Sequence, residues 1–518
     1  MGSVLLRSAF SLVVLASSSL SALAENGHQW TIKGSYAIVP TQPLQIGNQR
    51  QLLLDNYVVE DLRACRRKVH QPTKHPSNPL FSTGPEGLNP DSTAPYISVI
   101  RDHETGLYRL WAASNILVRQ PTPPGFYWLS RGRYFESSDG LQWRAPSLGL
   151  VESDGSKTNN IFMGGPKFTY DSFGVSPSPE KWRQRGRYLM IYNRGPAGRD
   201  PHPELIAGGQ ELRLAFSEDG VRWTDQKENP IFRGQSDTSN NVTYNVERDV
   251  LMSYRRPPIN AGEIRRIAYS ESADLVHWSQ PEQAVVPDEL DPYSLYCMPV
   301  TRYQGVYFGF LHMFYHRAHF DRKAPRPKDM KIDVQLTWSR DGKHWKRHPR
   351  RPLFLPTGAQ GSYDEGRVYV GKGLIERDDR IDIYYTGHES RHISKEVQPG
   401  DNHLCLASLR RDGFVSLEAP DEGNVLTKPI SYPGGSLHIN ARTFPGGSVR
   451  VAIRRGDGEF DGLPLPQWSY EQCRVFSADS IDHTIDWKQQ EDLSSLKGKA
   501  IRLEFSLKQA ELFSFWFE

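Results

Sequence analysis

The chain has 518 residues, with 63 Lys and Arg against 60 Asp and Glu, a formal charge of +3. So even a balance offers no basic field to nucleic acid or to an anionic membrane surface. Aromatic residues make up 11% of the chain, too many for a disordered polymer, and 43 Gly with 37 Pro follow no collagen-like period.

The first segment reads as an export signal rather than as part of a fold. Arg7 precedes an apolar run over residues 9–16, and Ala22-Leu23-Ala24 is a small-x-small cleavage site. The run is too short to span a bilayer. The expectation is cleavage near Ala24 and delivery to the periplasm or the extracellular space, with no membrane span in the mature chain. Cys65, Cys297, Cys405 and Cys473 are widely separated and include no CxxC pair. Export permits disulfides, yet Cys297 and Cys405 lie in strand-like runs where a free buried thiol is equally at home.

Residues 25–77 are expected to pack on the domain that follows. From residue 78 a repeat sets the pattern. Three copies of Ser-x-Asp-Gly-x-x-Trp end at Trp143, Trp223 and Trp345, and a looser copy (SESADLVHW) ends at Trp278. Each follows an alternating strand (YFES, LRLAFS, RIAYS, VQLTWS). Asp-Gly is a hairpin-turn signal, and the Trp beyond it can lock the hairpin. The motif Asp residues are therefore read as turn-formers. A second hairpin precedes each copy, and a fifth unit over residues 366–419 closes with RDGFVSL instead. Two hairpins per unit make a four-stranded blade. Radial repetition of such blades predicts an all-β fold, a five-bladed β-propeller over 78–422. Residues 423–518 carry short alternating runs separated by PGG, GDGEFDG and LKGK turns, which predicts a C-terminal β-sandwich.

In a propeller the innermost strands converge on one axis, and residues at their starts line one mouth of the tunnel. Those positions hold Asp91, Asp171, Asp237, Asp291, and the pair Asp364 and Glu365. Two carboxyls flanking a bond are what glycoside hydrolysis needs, one as acid and one as base or nucleophile. Where inner strands end, Arg255, His312, His316, Arg317, His388 and Glu389 offer contacts to a sugar, and Arg or His suits a carboxylate or sulfate on it. His312 and His316 also sit four apart, but in a strand that spacing only places them on one face, so no metal site is assigned. Tyr96, Tyr170, Tyr293, Tyr315 and Tyr363 are candidate stacking platforms or blade packing.

This architecture, with the Ser-x-Asp-Gly-x-x-Trp blade motif and the RDGFVSL strand, resembles the secreted glycoside hydrolases of families 43 and 32. The resemblance implies an Asp base or nucleophile on blade one, a helper Asp on blade two and a Glu acid on blade three. By placement Asp91 and Asp171 match the first two. Blade three offers Asp237 and Asn241, with Glu247 at the far turn, so the acid's role passes to Asp237 or Glu365. The expected catalytic set is Asp91, Asp171, Asp237 and Glu365. The expected substrate-binding set is Asn241, Arg255, Asp291, His312, His316, Arg317, Asp364, His388 and Glu389. The expected activity is hydrolysis of a poly- or oligosaccharide, neutral or anionic. The alternatives are a non-catalytic carbohydrate-binding propeller and a lyase acting on an anionic glycan. No cofactor is required, and the tunnel leaves room for a structural calcium.

Overall fold

The computed structural model describes residues 22–23, 29–33, 37–40, 42–83, 96–121, 124–153, 155–196, 209–234, 236, 238–257, 265–291, 293–315, 330–392, 401–456, 464–488 and 493–518. Contacts divide the chain into two compact units, residues 68–416 and residues 1–67 with 417–518.

The first unit is a β-propeller. Among the described residues its strands form antiparallel meanders, in sheets of four, five, four and twelve strands, numbered as blades in chain order. Blade one begins with Ile97–Arg101, blade two with Phe168–Pro177 and blade three with Asn241–Asn245. Blade four begins with Tyr293–Leu295 and Val300–Tyr303, and blade five with Arg367–Val370. The second strands alternate faces that are both buried between blades, so they read as near-continuous apolar runs such as Val306–Tyr315. The outermost strand of blade five comes from the start of the unit: Thr73–Lys74 and Phe81–Ser82 pair with His403–Arg410. Asn78 continues that ladder with its side chain, donating to the Leu406 carbonyl and accepting from the Leu406 amide. Asn229 does the same to Leu214 in blade two. The ring closes between blades five and one, where Ser98 and Lys372 form a parallel bridge.

The repeated motif does the job its sequence suggests and a second one. Ser137 Oγ accepts from Gly140 N at 2.9 Å, and Asp139 Oδ1 accepts from Leu141 N and Gln142 N at 2.7 and 2.8 Å. Ser217/Asp219 and Ser339/Asp341 repeat the arrangement. The Asp residues are turn-formers, as expected. The turn's glycine, however, faces the preceding blade. Gly220 O accepts from Trp111 Nε1 of blade one at 2.6 Å, Gly140 O accepts from Tyr384 OH of blade five at 2.7 Å, and Gly342 O accepts from Tyr254 OH of blade three. The Trp follows the glycine across: Trp143 meets Tyr384 edge-on at 5.7 Å, and Trp345 meets Tyr254 at 5.5 Å. The motif therefore latches one blade to the blade before it. Gly220 has φ +77°, and a Cβ there would sit 2.8 Å from the Trp111 ring, which is why glycine occupies the turn.

The second unit is built on one eight-stranded sheet in which Leu437–Arg455 pairs with Ala500–Phe517 along nearly its whole length. The runs expected as separate short strands are single long strands here. Pro445-Gly446-Gly447 is extruded as a bulge between the Thr443–Ala510 and Ser448–Lys508 pairs, because the partner strand continues past it. Residues from both halves of these strands (Ile439 and Val451, Leu503 and Phe515) share one core with Trp468 and Trp487. The sheet is thus bent over into two layers. Gln51–Leu52 and Val59–Arg63 join this sheet, so residues 42–67 lie with the tail and residues 68–83 with the propeller. All four cysteines are free. Among the described residues no helix is long and apolar enough to cross a membrane.

Candidate functional site

The inner strands run in one direction, and their contacts set a common level. Val175 N donates to Ser98 Oγ at 3.0 Å, Ser98 bridges to Lys372, and Gly174 lies against Asn240 and Asn241 so closely that a Cβ would meet the Asn240 carbonyl at 2.2 Å. Counting back from that level places Tyr96, Asp171, Tyr296 and Tyr369 toward the starts of the inner strands, where the three tyrosines are buried, 7, 6 and 0% exposed, in one core cluster with Cys297, Phe314, Met330 and Ile332.

Here aromatic rings from three blades converge. Tyr96 OH donates to Tyr296 OH at 3.1 Å. The Tyr369 ring meets Tyr96 at 6.1 Å and Tyr296 at 5.7 Å, both edge-on. Phe314 and His392 complete the cluster, each about the same distance from Tyr296, at 5.4 and 5.0 Å. Guanidinium groups lie over it: Arg265 is 4.8 Å and Arg256 is 5.9 Å from the Tyr296 ring centre. Beside Tyr369, His388 is fully buried, with its ring 5.5 Å away and its Nδ1 3.1 Å from Arg367 Nη2. Burial and the adjacent Arg367 charge push the His388 pKa well below the ordinary histidine value, so the ring is neutral. Arg367 pairs with Asp401 at 3.2 Å.

Asp171 sits at the same level on blade two. Its Oδ1 accepts from Asn193 Nδ2 at 2.9 Å across the strand pair. The strand bulges between Asp171 and Gly174, and Ser172 takes φ +57°, which sets the carboxylate apart from the regular pleat.

The remaining expected residues divide. Asp91, Asp237, His316 and Arg317 lie outside the described residues. Glu365 accepts from Gly361 N within its own loop. Asp364 is buried and bound to Lys74 Nζ at 2.6 Å and Tyr385 OH at 3.2 Å. Asp291 takes a two-pronged contact from Arg347. Asn241 is a clamp: its Nδ2 donates to Met298 O at 2.9 Å and its Oδ1 accepts from Val300 N at 3.0 Å, tying blade three to blade four. Arg255 packs over Phe232 of blade two at 3.7 Å, and burial lowers its pKa to about 10. Glu389 is exposed and 3.6 Å from His403. His312 is also a clamp. Its Nε2 accepts from Val370 N at 3.1 Å, which leaves Nδ1 to face Cys297 Sγ at 2.8 Å. Burial lowers its pKa to about 3. Tyr170, Tyr315 and Tyr363 pack at blade faces, and Tyr96 is buried against Tyr296 and Tyr369.

Sequence reasoning passed over Tyr296, Tyr369, Arg265 and Arg367, and also Asp333 at the start of blade four's third strand. Asp333 accepts from Thr357 N at 2.6 Å, and burial raises its pKa, a property a general acid needs. Lys372 was missed as well. Its ammonium is buried and donates to Val300 O at 3.0 Å and Thr243 Oγ1 at 3.2 Å, while its backbone bonds to Ile97 and Val99. It thereby joins blades five, one, three and four at the axis. Val300 O also accepts from Thr243 Oγ1 at 2.9 Å. Among the described residues no cluster of His, Cys, Asp and Glu side chains is placed to hold a metal ion.

No family model and no curated protein matches the chain. Among solved structures, an N-acetylgalactosamine deacetylase from F. plautii in complex with blood group B trisaccharide is 15% identical, covering 68% of this chain and 97% of its own, at a TM-score of 0.43. A β-1,2-mannobiose phosphorylase from Listeria innocua is 12% identical, covering 66% and 97%, at 0.44. A glycosyl hydrolase from Bacteroides ovatus is 12% identical, covering 66% and 94%, at 0.42. Likeness at this level assigns no reaction to the chain.

Proposed function

We propose that the chain is a glycoside hydrolase that acts on a poly- or oligosaccharide at the propeller mouth, outside the cytoplasm after loss of residues 1–24. One observation carries the reading. Tyr96, Tyr296 and Tyr369 converge from three blades at the level where Asp171 stands on a fourth. The three rings are buried in one core cluster, so they make a rigid support beneath the strand starts rather than an exposed stacking face. A carboxylate at the start of an inner strand supplies either the base or the group that tunes it. Asp91, Asp237, Glu365 and Asp333 are the candidates for its partner. The test is release of reducing sugar from a glycan panel by purified protein, with D171N and D91N beside the wild type. Turnover abolished by D171N supports the assignment, and full turnover in D171N removes Asp171 from the site.

A second reading is a propeller that binds glycan without cleaving it. It is favoured by the engagement of Asp291, Asp364 and Asp401 with Arg347, Lys74 and Arg367, which leaves them no freedom for proton transfer. Glycan binding by calorimetry with no turnover across the panel would establish it.

A further inference from the structure

We propose that a cleft in the second unit, between the turn at residues 433–436 and the segment 493–497, is a glycan-binding site in its own right. The inference goes beyond the reading of the mouth and does not depend on it.

The cleft has a volume of about 600 Å³, within the range of small-molecule sites. Among the described residues it is lined by the turn glycines and Ser436, by Arg474, by residues 485–487 and by Leu493, Ser494 and Lys497. Backbone hydrogen bonds tie these walls together. Ile485 N donates to Leu437 O at 2.7 Å, Arg474 N to Asp486 O at 2.9 Å, and Gly498 N to Tyr432 O at 3.0 Å. Ser436 and Glu518 exchange both of their backbone bonds, at 2.6 and 3.0 Å. Gly435 takes φ +86°, and a Cβ there would meet the Glu518 carbonyl at 2.6 Å. The Pro-Gly-Gly turn therefore makes a fixed wall of the cleft. The floor is apolar: Ile485, Trp487 and Leu493 are buried, and Trp487 Nε1 is turned inward to Val451 O at 3.2 Å.

The rim is charged and unengaged. Arg474, Asp486 and Lys497 are all exposed, and among the described residues none of their side chains has a hydrogen-bond or ion-pair partner. On the sheet itself Arg442, Arg454 and Arg502 hold Glu511, Glu504 and Glu60. Two cations and a carboxylate on one rim disfavour a simple ion: an anion would meet Asp486, and a cation would meet Arg474 and Lys497. A sugar carries donors and acceptors on neighbouring carbons. Asp486 can accept from its hydroxyls while Arg474 and Lys497 donate to its oxygens. Walls already fixed lower the cost of ordering the site on binding.

The experiment is calorimetry on the full chain with gluco-, manno-, galacto-, xylo- and arabino-configured neutral oligosaccharides, and with sodium sulfate as a plain anion. Wild type, D486A, R474A/K497A and D171N are compared. The three cleft positions are exposed, so the fold should be kept, which thermal melting checks. The expected result is a binding event with at least one oligosaccharide that D486A and R474A/K497A each weaken ~10-fold or more and that D171N leaves intact. Turnover of short substrates, where it occurs, should be lost in D171N and kept in the cleft variants, so either reading can fail alone. Oligosaccharide binding that both cleft variants leave unchanged overturns the cleft while the mouth reading stands. Sulfate bound with no oligosaccharide bound overturns the sugar assignment, and so does the absence of any binding.

Discussion

Replacing Lys372 by Met removes one buried charge from the propeller axis, and the consequence is set by pH. Burial lowers the Lys372 pKa from an ordinary 10.5 to about 7. Among the described residues no carboxylate lies within ion-pair distance to offset it, and two neutral oxygens, Val300 O and Thr243 Oγ1, are its partners. The folded pKa lies below the unfolded one, so the unfolded chain binds the extra proton between these values. Stability is therefore lowest below pH 7 and rises as pH climbs toward 10.5. One proton contributes about 1.4 kcal/mol per pH step, or roughly 3 kcal/mol between pH 7 and 9. K372M lacks this contribution. It leaves Val300 O with the Thr243 hydroxyl as donor, so little is orphaned. Urea unfolding followed by Trp fluorescence at pH 6, 7.5 and 9 measures the difference between the two proteins. At pH 6 the variant should equal or exceed the wild type, and by pH 9 the wild type should have gained roughly 2–3 kcal/mol on it. A difference that stays flat from pH 6 to 9 would refute the buried, unpaired ammonium.

Three further outcomes follow from the blade contacts. G220A forces a Cβ to 2.8 Å from Trp111 at φ +77°; it should cost about 2 kcal/mol or more, and an unchanged Tm would contradict the latch. Leu275 occupies the matching turn of blade three at φ +69°, so the clash rather than the backbone angle should carry most of the effect. N241A leaves Met298 O and Val300 N without their clamp and should destabilise by about 2–4 kcal/mol. A raised KM at unchanged stability would instead restore Asn241 to substrate binding. For His312, burial holds the folded pKa near 3 against an unfolded 6.5, so the wild type should lose about 1.4 kcal/mol of stability per pH step as pH falls below 6.5. In H312N that part of the acid loss should vanish, as shown by the difference between the two proteins at pH 6.5 and 5.

The blades were legible because each rests on local chemistry. The Ser-x-Asp-Gly turn is satisfied within four residues, and the alternating strands before it are strongly patterned. What the turn faces was not legible. The Gly220–Trp111 contact spans two blades, and no spacing rule links those positions. Asn241, Asp291 and Asp364 occupy the positions expected of site residues, yet each meets a partner far along the chain, at Met298, Arg347 and Lys74. Residue type shows a capacity for hydrogen bonding and says nothing of which distant group consumes it. Lys372 did leave a signal. It stands between Gly371 and Gly373 in an otherwise apolar strand end, and a Cβ at those glycines would meet Ile97 at 2.6 Å and Val99 O at 2.2 Å. A lysine flanked by two glycines marked a close approach of backbones at the axis. In the tail, the Pro445-Gly446-Gly447 bulge read as a turn because its sequence is that of one; only the continuous partner strand makes it otherwise.

The mouth itself is open to one direct measurement: the crystal structure of the D171N protein soaked with an oligosaccharide that the wild type binds or cleaves. The expected result is a sugar ring at the mouth where the inner strands begin, within reach of position 171. A sugar seated instead in the tail cleft lined by Arg474, Trp487 and Lys497, or at the far end of blades one and two beside Asp102 and Arg187, with the mouth unoccupied, would contradict it.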